Sequence, residues 1–229
     1  MRCYLVRHGQ TRWNDENRLQ GHSDLSLSPL GVEQADQVGR YFAALHTGNG
    51  SVEAVYASPL KRSFETAHAI KRHTGLEPTL EPTLMEMHLG AWEGLTPEEI
   101  DTQFAGAYHQ WREISSQVQI PGAESLEQFR GRVRSAFTQI VTTCREKGAV
   151  VIVTHGGVIA SLLADCLARP GLLPSRRAGE ADYDHVLRRV TLDNAGISAL
   201  DCRKHPPHIL WVNAVAHLLP HHAVSRSPL

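Results

Sequence analysis

The sequence predicts an α/β fold of three layers, in which helices cover both faces of a mostly parallel central sheet. Short apolar, β-prone runs alternate along the chain with segments of helical periodicity, an order typical of α/β proteins. The run VVIV at residues 150–153 shows no alternation of apolar and polar residues, as expected when helices cover both faces of a strand. With 229 residues, the chain can bury a substantial core without disulfides or metals.

The predicted strands and the first two long helices follow from local patterns. Five apolar runs are predicted to be strands, namely residues 3–6, 52–57, 150–153, 197–200 and 209–215. Ser28 and Pro29 are predicted to be the N-cap and first residue of a helix. Its apolar side chains recur at steps of three and four residues, at Ala35, Val38, Phe42 and Leu45. Ser58 and Pro59 repeat the start signal, and Gly75 is expected to end that second helix.

Three further helices complete the predicted architecture. Thr96 to Glu99 has the form of a capping box at the start of a short helix. A long amphipathic helix follows, with an apolar stripe formed by Leu126, Phe129, Val133, Phe137, Ile140 and Cys144. Gly156 and Gly157 open an apolar helix. Residues 169–189 lack clear periodicity and are predicted to be a loop or insertion. We predict one domain over residues 1–219 and a flexible tail over 220–229.

Charge and cysteine content narrow the classes of function and location. The formal net charge is −1, so nothing global attracts the protein to nucleic acid or to a membrane, and any electrostatic function must be local. The four cysteines, Cys3, Cys144, Cys166 and Cys202, form no CxxC pair, which favours reduced thiols in a cytoplasmic protein. The apolar stretch near the start, residues 3–6, is too short for an export signal or a membrane span.

Two short segments repeat one pattern. LVRHG at residues 5–9 is matched by IVTHGG at 152–157, and in both an apolar strand is followed by a histidine and then by glycine. Ligands of open parallel sheets bind outside the carboxyl ends of the strands, so His8 and His155 are expected to face one crevice. Two imidazoles suit either a metal or an anion. No carboxylate or cysteine follows either histidine at a metal-ligand spacing, and we therefore expect no metal.

Arginines at two positions favour an anion. Arg7 adjoins His8, and Arg62 lies in the first turn of the second predicted helix, where free backbone N–H groups also favour negative charge. Guanidinium groups bind phosphate oxygens through hydrogen bonds worth about 1.5 to 3 kcal/mol each. Because clustered buried cations are costly without a counter-charge, the pattern predicts a phosphate pocket.

Six blocks of sequence then carry a resemblance. In chain order they are RHGQTRWN, RLQGHSDLSLSPLG, ASPLKRSFETA, EMHLGAWEG, PGAESLEQF and VTHGG. Together they resemble the histidine phosphatase superfamily, whose fold is also called phosphoglycerate mutase-like. The match covers residues 3 to 160 and continues more weakly through 192–198 and 212–218. The resemblance implies one histidine phosphatase domain and, for many relatives, a homodimer.

The resemblance also implies roles for individual residues. His8 matches the nucleophile, His155 the second imidazole of the phosphate pocket, and Arg7 and Arg62 the two phosphate-binding arginines. Glu86 falls where the phosphatase branch keeps its proton donor. The expected substrate-binding residues are Asn14, Gln20, Gly21 and Gly156. From the residues alone, Asn14 could instead cap or turn the chain, Gln20 could bond only to backbone, and Glu86 could be a solvated surface glutamate.

Three functions are consistent with this reading. The first is a metal-independent phosphomonoesterase that needs no cofactor and hydrolyses a small phosphorylated metabolite through a phosphohistidine intermediate. The second is a phosphoglycerate mutase, although MHLGAWEG directly after Glu86 resembles the phosphatase branch. The third is a non-catalytic phospho-ligand binding protein. Substrate selectivity is expected to lie on loops at residues 15–27, 92–122 and 169–189.

Overall fold

Six strands form one sheet at the centre of the protein. The structure is a computed structural model and describes residues 1–47, 51–144, 148–167 and 188–218, together with Asp184 and Val186. The strands are β1 (Arg2–Arg7), β2 (Val52–Ala57), β3 (Pro78–Leu80), β4 (Ala149–Thr154), β5 (Ile197–Asp201) and β6 (His208–Ala214). All five predicted strands are therefore confirmed to within one residue at each end, and β3 was not predicted.

The sheet is mixed and mostly parallel. Its strand order is β3-β2-β4-β1-β5-β6. The first four strands in that order pair in parallel, whereas β5 runs antiparallel to both of its neighbours. The carboxyl ends of β2, β4 and β1 consequently meet side by side at one edge of the sheet.

Helices cover both faces of this sheet. They are α1 (Arg12–Asp15), α2 (Pro29–Thr47), α3 (Lys61–Thr74), α4 (Pro97–Gln103), α5 (Ala107–Glu113), α6 (Leu126–Thr143) and α7 (Gly156–Leu167). Alternate residues of β1 belong to two separate apolar clusters, with Cys3 and Leu5 in one and Tyr4 and Val6 in the other. The first cluster contains apolar side chains of α6 and α7, and the second contains those of α2 and α3. The three-layer prediction is confirmed.

The helix boundaries agree with the start and stop signals at all but one position. The capping boxes begin α4 at Thr96 and α6 at Ser125, and Gly75 ends α3 with a left-handed φ of 76°. The prediction that Ser58 and Pro59 start α3 is wrong. That helix begins at Lys61 after Leu60, which makes no side-chain cap, and the hydroxyl of Ser58 serves another purpose described below.

Three segments predicted to be irregular in whole or in part are residues 92–122, 169–189 and 220–229, and only part of them is described by the structure. Region 92–122, predicted to contribute a substrate-selective loop, contains α4, whose start at Thr96 was predicted, and α5, which was not. Within 169–189, predicted to be a loop or insertion, the structure describes only Asp184, Val186, Arg188 and Arg189, and all four have helical backbone. The loop or insertion stays a prediction. The rest of that segment, and the predicted tail at 220–229, lie outside the described residues.

Some of the global predictions can be compared with the structure. None of the four cysteines forms a disulfide, in agreement with the predicted reduced thiols. Among the described helices, none combines the length and apolar character that crossing a bilayer requires. The homodimer and the cytoplasmic location stay predictions.

Two glycines provide a matched test of the helix assignments, because a Cβ added at Gly131 or at Gly75 meets nothing within 4 Å. Gly131 lies exposed inside α6, so Gly131→Ala should raise the free energy of unfolding by about 0.5–1 kcal/mol. Gly75→Ala should lower it by about 1 kcal/mol, because alanine is strained at a left-handed φ. Urea unfolding measures both, and changes of the same sign would contradict the assigned conformations.

Candidate active site

The two histidines of the repeated pattern meet at the carboxyl ends of β1 and β4. Arg7 and Thr154 are register partners in these adjacent parallel strands, and the His8 backbone N–H donates to the Thr154 carbonyl at 2.9 Å. This pairing brings the imidazoles of His8 and His155 to a centroid separation of 5.2 Å. Both side chains are buried, His155 completely. The predicted convergence of residues separated by 147 positions in the sequence (155 − 8) is thereby observed.

Local contacts keep His8 neutral and orient its ring. Its Nδ1–H donates to the carbonyl of Gly9 at 2.7 Å, and because a carbonyl oxygen only accepts, Nδ1 must carry the proton. Burial, followed by the charges of Arg62 and Arg7, lowers the pKa of His8 well below its ordinary value. The other ring nitrogen, Nε2, therefore holds an unprotonated lone pair at neutral pH.

His155 is held by hydroxyl groups. Its Nε2 lies 2.8 Å from Ser58 Oγ and 3.3 Å from Ser63 Oγ, whereas its buried Nδ1 has no hydrogen-bond partner among the described residues. Burial, then the charge of Arg62, lowers the pKa of His155 well below its ordinary value. Sequence reasoning missed Ser58 as a site residue because it interpreted Ser58 as a helix cap. Its place directly after strand β2 was the signal that could have identified it.

Arg62 lies in the first turn of α3, as predicted, and its side chain is fully buried. Its Nη1 donates to the Ser23 carbonyl and its Nη2 to the Gly21 carbonyl, both at 2.7 Å. Its buried Nε has no hydrogen-bond partner among the described residues. Burial lowers the pKa of Arg62 to about 10, which leaves it positively charged at neutral pH. The two carbonyls therefore fix the guanidinium while one N–H stays available for a ligand.

Arg7 brings a second buried positive charge. It is the last residue of β1, and its Nη1 donates to the carbonyl of Leu192. Burial lowers the pKa of Arg7 to about 10, while the nearby carboxylates of Glu86 and Asp193 act in the opposite direction. Arg7 therefore also stays charged at neutral pH and contributes to the positive potential around the imidazoles.

Asn14 both caps a helix and lines the pocket. It is the third residue of α1, and its Oδ1 accepts from the Thr11 backbone N–H at 3.0 Å within a capping box. The same oxygen accepts from Asn194 Nδ2 at 3.2 Å. Asn14 also lies in the wall of the pocket that contains His8. The capping interpretation and the pocket interpretation of Asn14 are thus compatible.

Glu86 enters the pocket from the segment after β3, at a half-buried position. Its Oε2 accepts from the backbone N–H of Gly157 at 2.9 Å, and its Oε1 accepts from that of Met87 at 2.8 Å. Gly157 lies in the first turn of α7, where a carboxylate is favoured by the helix dipole. A Cβ at position 157 would lie only 2.4 Å from Glu86 Oε1, so only glycine permits this approach.

One pocket contains most of the predicted residues. His8, Arg7, Arg62, Glu86, Asn14, Gln20, Gly21 and Gly156 all line it. His155 lies behind His8 and is not part of its wall. The rest of the wall is formed by Arg18, Leu19, Met87, Leu89, Trp111 and Gly157. The sequence did not single out these residues as site residues, although Arg18, Leu19 and Trp111 lie in two of the segments predicted to carry substrate selectivity. Trp111 comes from α5, so the helical part of region 92–122 does reach the pocket. In the part of the chain that the structure describes, no group of three His, Cys, Asp or Glu side chains could hold a metal ion.

An α/β protein with this pocket at the carboxyl ends of its strands is built to bind a phosphoryl group. The chain belongs to the histidine phosphatase superfamily (branch 1), whose family model matches residues 3–215. The family that the sequence motifs predicted is therefore confirmed.

Individual similar proteins support the same assignment. Phosphoglycerate mutase-like protein 4 of Arabidopsis thaliana is 39% identical over 161 residues, 69% of this chain and 67% of that protein. Glucosyl-3-phosphoglycerate phosphatase of Mycobacterium tuberculosis is 36% identical over 176 residues, 74% of this chain and 76% of that protein. The solved structure of mycobacterial glucosyl-3-phosphoglycerate phosphatase with VO3 has a TM-score of 0.77 and 30% identity. That match covers 93% of this chain and 99% of the other.

The lowered pKa values of the two imidazoles predict a specific dependence of stability on pH. As pH falls below about 6.5, the unfolded histidines take up protons before the folded ones, so the free energy of unfolding decreases. Each imidazole contributes a slope of up to about 1.4 kcal/mol per pH unit. Denaturant unfolding between about pH 5 and 6.5 should give a smaller slope for His8→Gln than for the wild type. Equal slopes would contradict a neutral, buried His8.

Proposed function

We propose that this protein hydrolyses small phosphate monoesters through a phosphohistidine formed on His8. One observation carries the proposal: the Gly9 carbonyl holds the proton on His8 Nδ1, which leaves the Nε2 lone pair in a pocket that also contains buried Arg7 and Arg62. In the first step, the Nε2–P bond forms while the bond between phosphorus and the ester oxygen breaks. In the second step, water attacks phosphorus and the N–P bond breaks, which releases phosphate.

The buried cations stabilise the phosphoryl group during both steps. Arg62 offers its Nε–H, and Arg7 adds a second guanidinium beside the nucleophile. In the proposed mechanism the Ser58 hydroxyl, which lies 2.8 Å from Nε2 of His155, donates its proton to that nitrogen, and Nδ1 of His155 then carries the ring proton. Donors held in place before the reaction stabilise the negative charge on the equatorial oxygens of a transferring phosphoryl group.

Glu86 acts as the general acid and then as the general base. In the first step it gives its proton to the departing ester oxygen, and in the second it takes a proton from the attacking water. One backbone N–H bonds to each carboxyl oxygen, which leaves room for a proton on either one. The carboxyl group lines the same pocket as His8, so both groups can face one phosphorus atom from opposite sides.

The outer wall selects the substrate. Beyond the charged end, the pocket is bounded by Leu19, Met87, Leu89 and Trp111, and its empty volume of about 560 Å³ includes its mouth. A charged end with an apolar wall suits the phosphate ester of a small metabolite, with the amide of Gln20 as the polar contact for its leaving group. Two of the similar proteins are named for a small phosphorylated sugar acid, glucosyl-3-phosphoglycerate.

The contacts of Arg18 favour hydrolysis over mutase activity. A phosphoglycerate mutase needs a further cation for the substrate carboxylate, and Arg18 is the third arginine in the described pocket wall. Its Nη1 donates to the Gly94 carbonyl at 2.6 Å and to Glu99 at 2.7 Å, and its Nε lies 3.3 Å from Glu16. The guanidinium is thus already bound to protein acceptors, so it does not serve a carboxylate as a free cation would.

The nucleophile can be tested by substitution and by trapping. Turnover of p-nitrophenyl phosphate in excess chelator should fall by about 10⁴-fold or more in His8→Ala, because the attacking nitrogen is lost. ³²P from a labelled substrate should be trapped as acid-labile phosphohistidine in the wild type and not in that variant. His109→Ala, at an exposed position of α5, is the control and should keep full activity. Undiminished turnover in His8→Ala would reject the assigned nucleophile, and binding without turnover in the wild type would indicate a phospho-ligand binding protein.

Hydrolysis and mutase activity give different products from one substrate. We expect 3-phosphoglycerate, followed by ³¹P NMR, to yield inorganic phosphate as the main product, because water accepts the phosphoryl group from His8. Accumulation of 2-phosphoglycerate ahead of inorganic phosphate would overturn the assignment of a hydrolase.

A further inference from the structure

A single arginine from α6 fixes the backbone that carries Glu86. Arg132 Nη1 donates to the carbonyls of Thr83 and Met85, at 2.8 and 2.7 Å, and its Nη2 donates to the carbonyl of Glu86 at 2.7 Å. Three carbonyls within four residues thus converge on one planar guanidinium. Because the fork geometry of guanidinium is rigid, it sets the relative directions of these peptide groups.

Arg132 is itself held in place. Its Nε donates to Glu124 Oε2 at 2.9 Å and its Nη2 to Glu124 Oε1 at 2.5 Å, a two-point ion pair in which both side chains are largely buried. The guanidinium carbon also lies 5.1 Å from the centre of the Phe129 ring. Arginine side chains lose much rotational freedom when ordered, and these contacts complete that ordering before any substrate binds.

Two more side chains donate hydrogen bonds to the same segment. Thr154 Oγ1 donates to the Leu84 carbonyl at 2.8 Å, and His22 Nε2 donates to the Glu86 carbonyl at 2.8 Å. Thr154 immediately precedes His155. Every carbonyl from residue 83 to residue 86 therefore accepts a hydrogen bond from a side chain elsewhere in the chain, which is unusual for a connecting segment.

We propose that Arg132, oriented by Glu124, is a positioning residue that aims the carboxyl group of Glu86 at the leaving oxygen of the substrate. The inference rests on the proposed role of Glu86. Two short contacts, to Met87 and Gly157, hold the carboxyl group itself, and both depend on where the backbone of residue 86 lies. Loss of the guanidinium removes three of the five side-chain hydrogen bonds described for this segment and leaves those from Thr154 and His22. Small displacements of a catalytic group cost large factors in rate, because proton transfer requires a short, aligned hydrogen bond.

The test compares substrates that differ in their need for a proton. The nitrophenolate released from p-nitrophenyl phosphate leaves without protonation, whereas the alkoxide released from glycerol 2-phosphate needs the acid. For Arg132→Met, kcat/KM for glycerol 2-phosphate should fall about 10- to 100-fold and that for p-nitrophenyl phosphate less than about threefold. The inhibition constant of inorganic phosphate should stay unchanged, because the phosphate pocket keeps its contacts.

Matched variants separate positioning from general damage. Arg134 lies two positions along α6, pairs with Asp165 and is largely exposed. Arg134→Met should therefore leave kcat/KM for both substrates unchanged. Glu124→Gln and Arg132→Lys keep most of the packing and should show smaller losses of the same selective kind. These two variants carry the test if Arg132→Met fails to fold, as judged by its thermal unfolding.

The Glu86→Gln variant shows whether the positioning role of Arg132 or the acid role of Glu86 is wrong. Suppose that Glu86→Gln lowers kcat/KM selectively for glycerol 2-phosphate, whereas the Arg132 and Glu124 variants lower it equally for both substrates or for neither. That result overturns the positioning role and leaves Glu86 as the proposed acid. If Glu86→Gln shows no selectivity, the assigned acid is wrong, and the inference built on it is overturned too. A selective loss of kcat/KM for glycerol 2-phosphate in all of these variants supports both the acid role of Glu86 and the positioning role of Arg132.

Discussion

Two buried guanidinium groups beside two imidazoles are the constraint on which the rest of the site depends. Arg62 gives its Nη donors to neutral carbonyls, and the charge of Arg7 further lowers its pKa. Such burial of positive charge is costly without a counter-charge, and a phosphoryl group supplies one. Burial, followed by this positive potential, lowers the pKa of His8 and of His155 and keeps them unprotonated, which a nucleophilic nitrogen requires. The charges that favour binding of a phosphoryl group therefore also favour the reactive form of His8.

The part of the site that sequence could predict is the part set by the sheet. Apolar runs predict β1, β2 and β4. Because ligands bind at the carboxyl ends of parallel strands, these runs also predict that His8 and His155 lie together. The role of Arg62 in the pocket could be predicted because it lies at the start of a helix that comes directly after a strand. Strand ends and helix starts are local features with strong sequence signals, so the residues attached to them are predictable.

The residues that sequence did not predict depend on partners far along the chain. Ser58 is followed by proline like a helix cap, but its hydroxyl bonds to His155, 97 positions away. Arg132 lies on the polar side of an amphipathic helix, where the default expectation is a solvated charge, yet it binds the backbone of Glu86. Strand β3, Pro78–Leu80, is three residues long and lacks a buried side chain, so it has no apolar signature. Only the tertiary fold determines these contacts.

The loop of Gly21, His22 and Ser23 contacts both Arg62 and the backbone of Glu86. Gly21 and Ser23 bind the guanidinium of Arg62 through their carbonyls, while His22 between them binds the carbonyl of Glu86 through its ring. Glu93 fixes this loop, because its carboxylate accepts from the His22 backbone N–H and from the Ser23 hydroxyl. A shift of the loop would therefore move the arginine and the acid together. In the proposed mechanism, the separation between the phosphoryl group and Glu86 is thus set by this loop, by Arg132 and by the β4 strand end, and not by the carboxyl side chain alone.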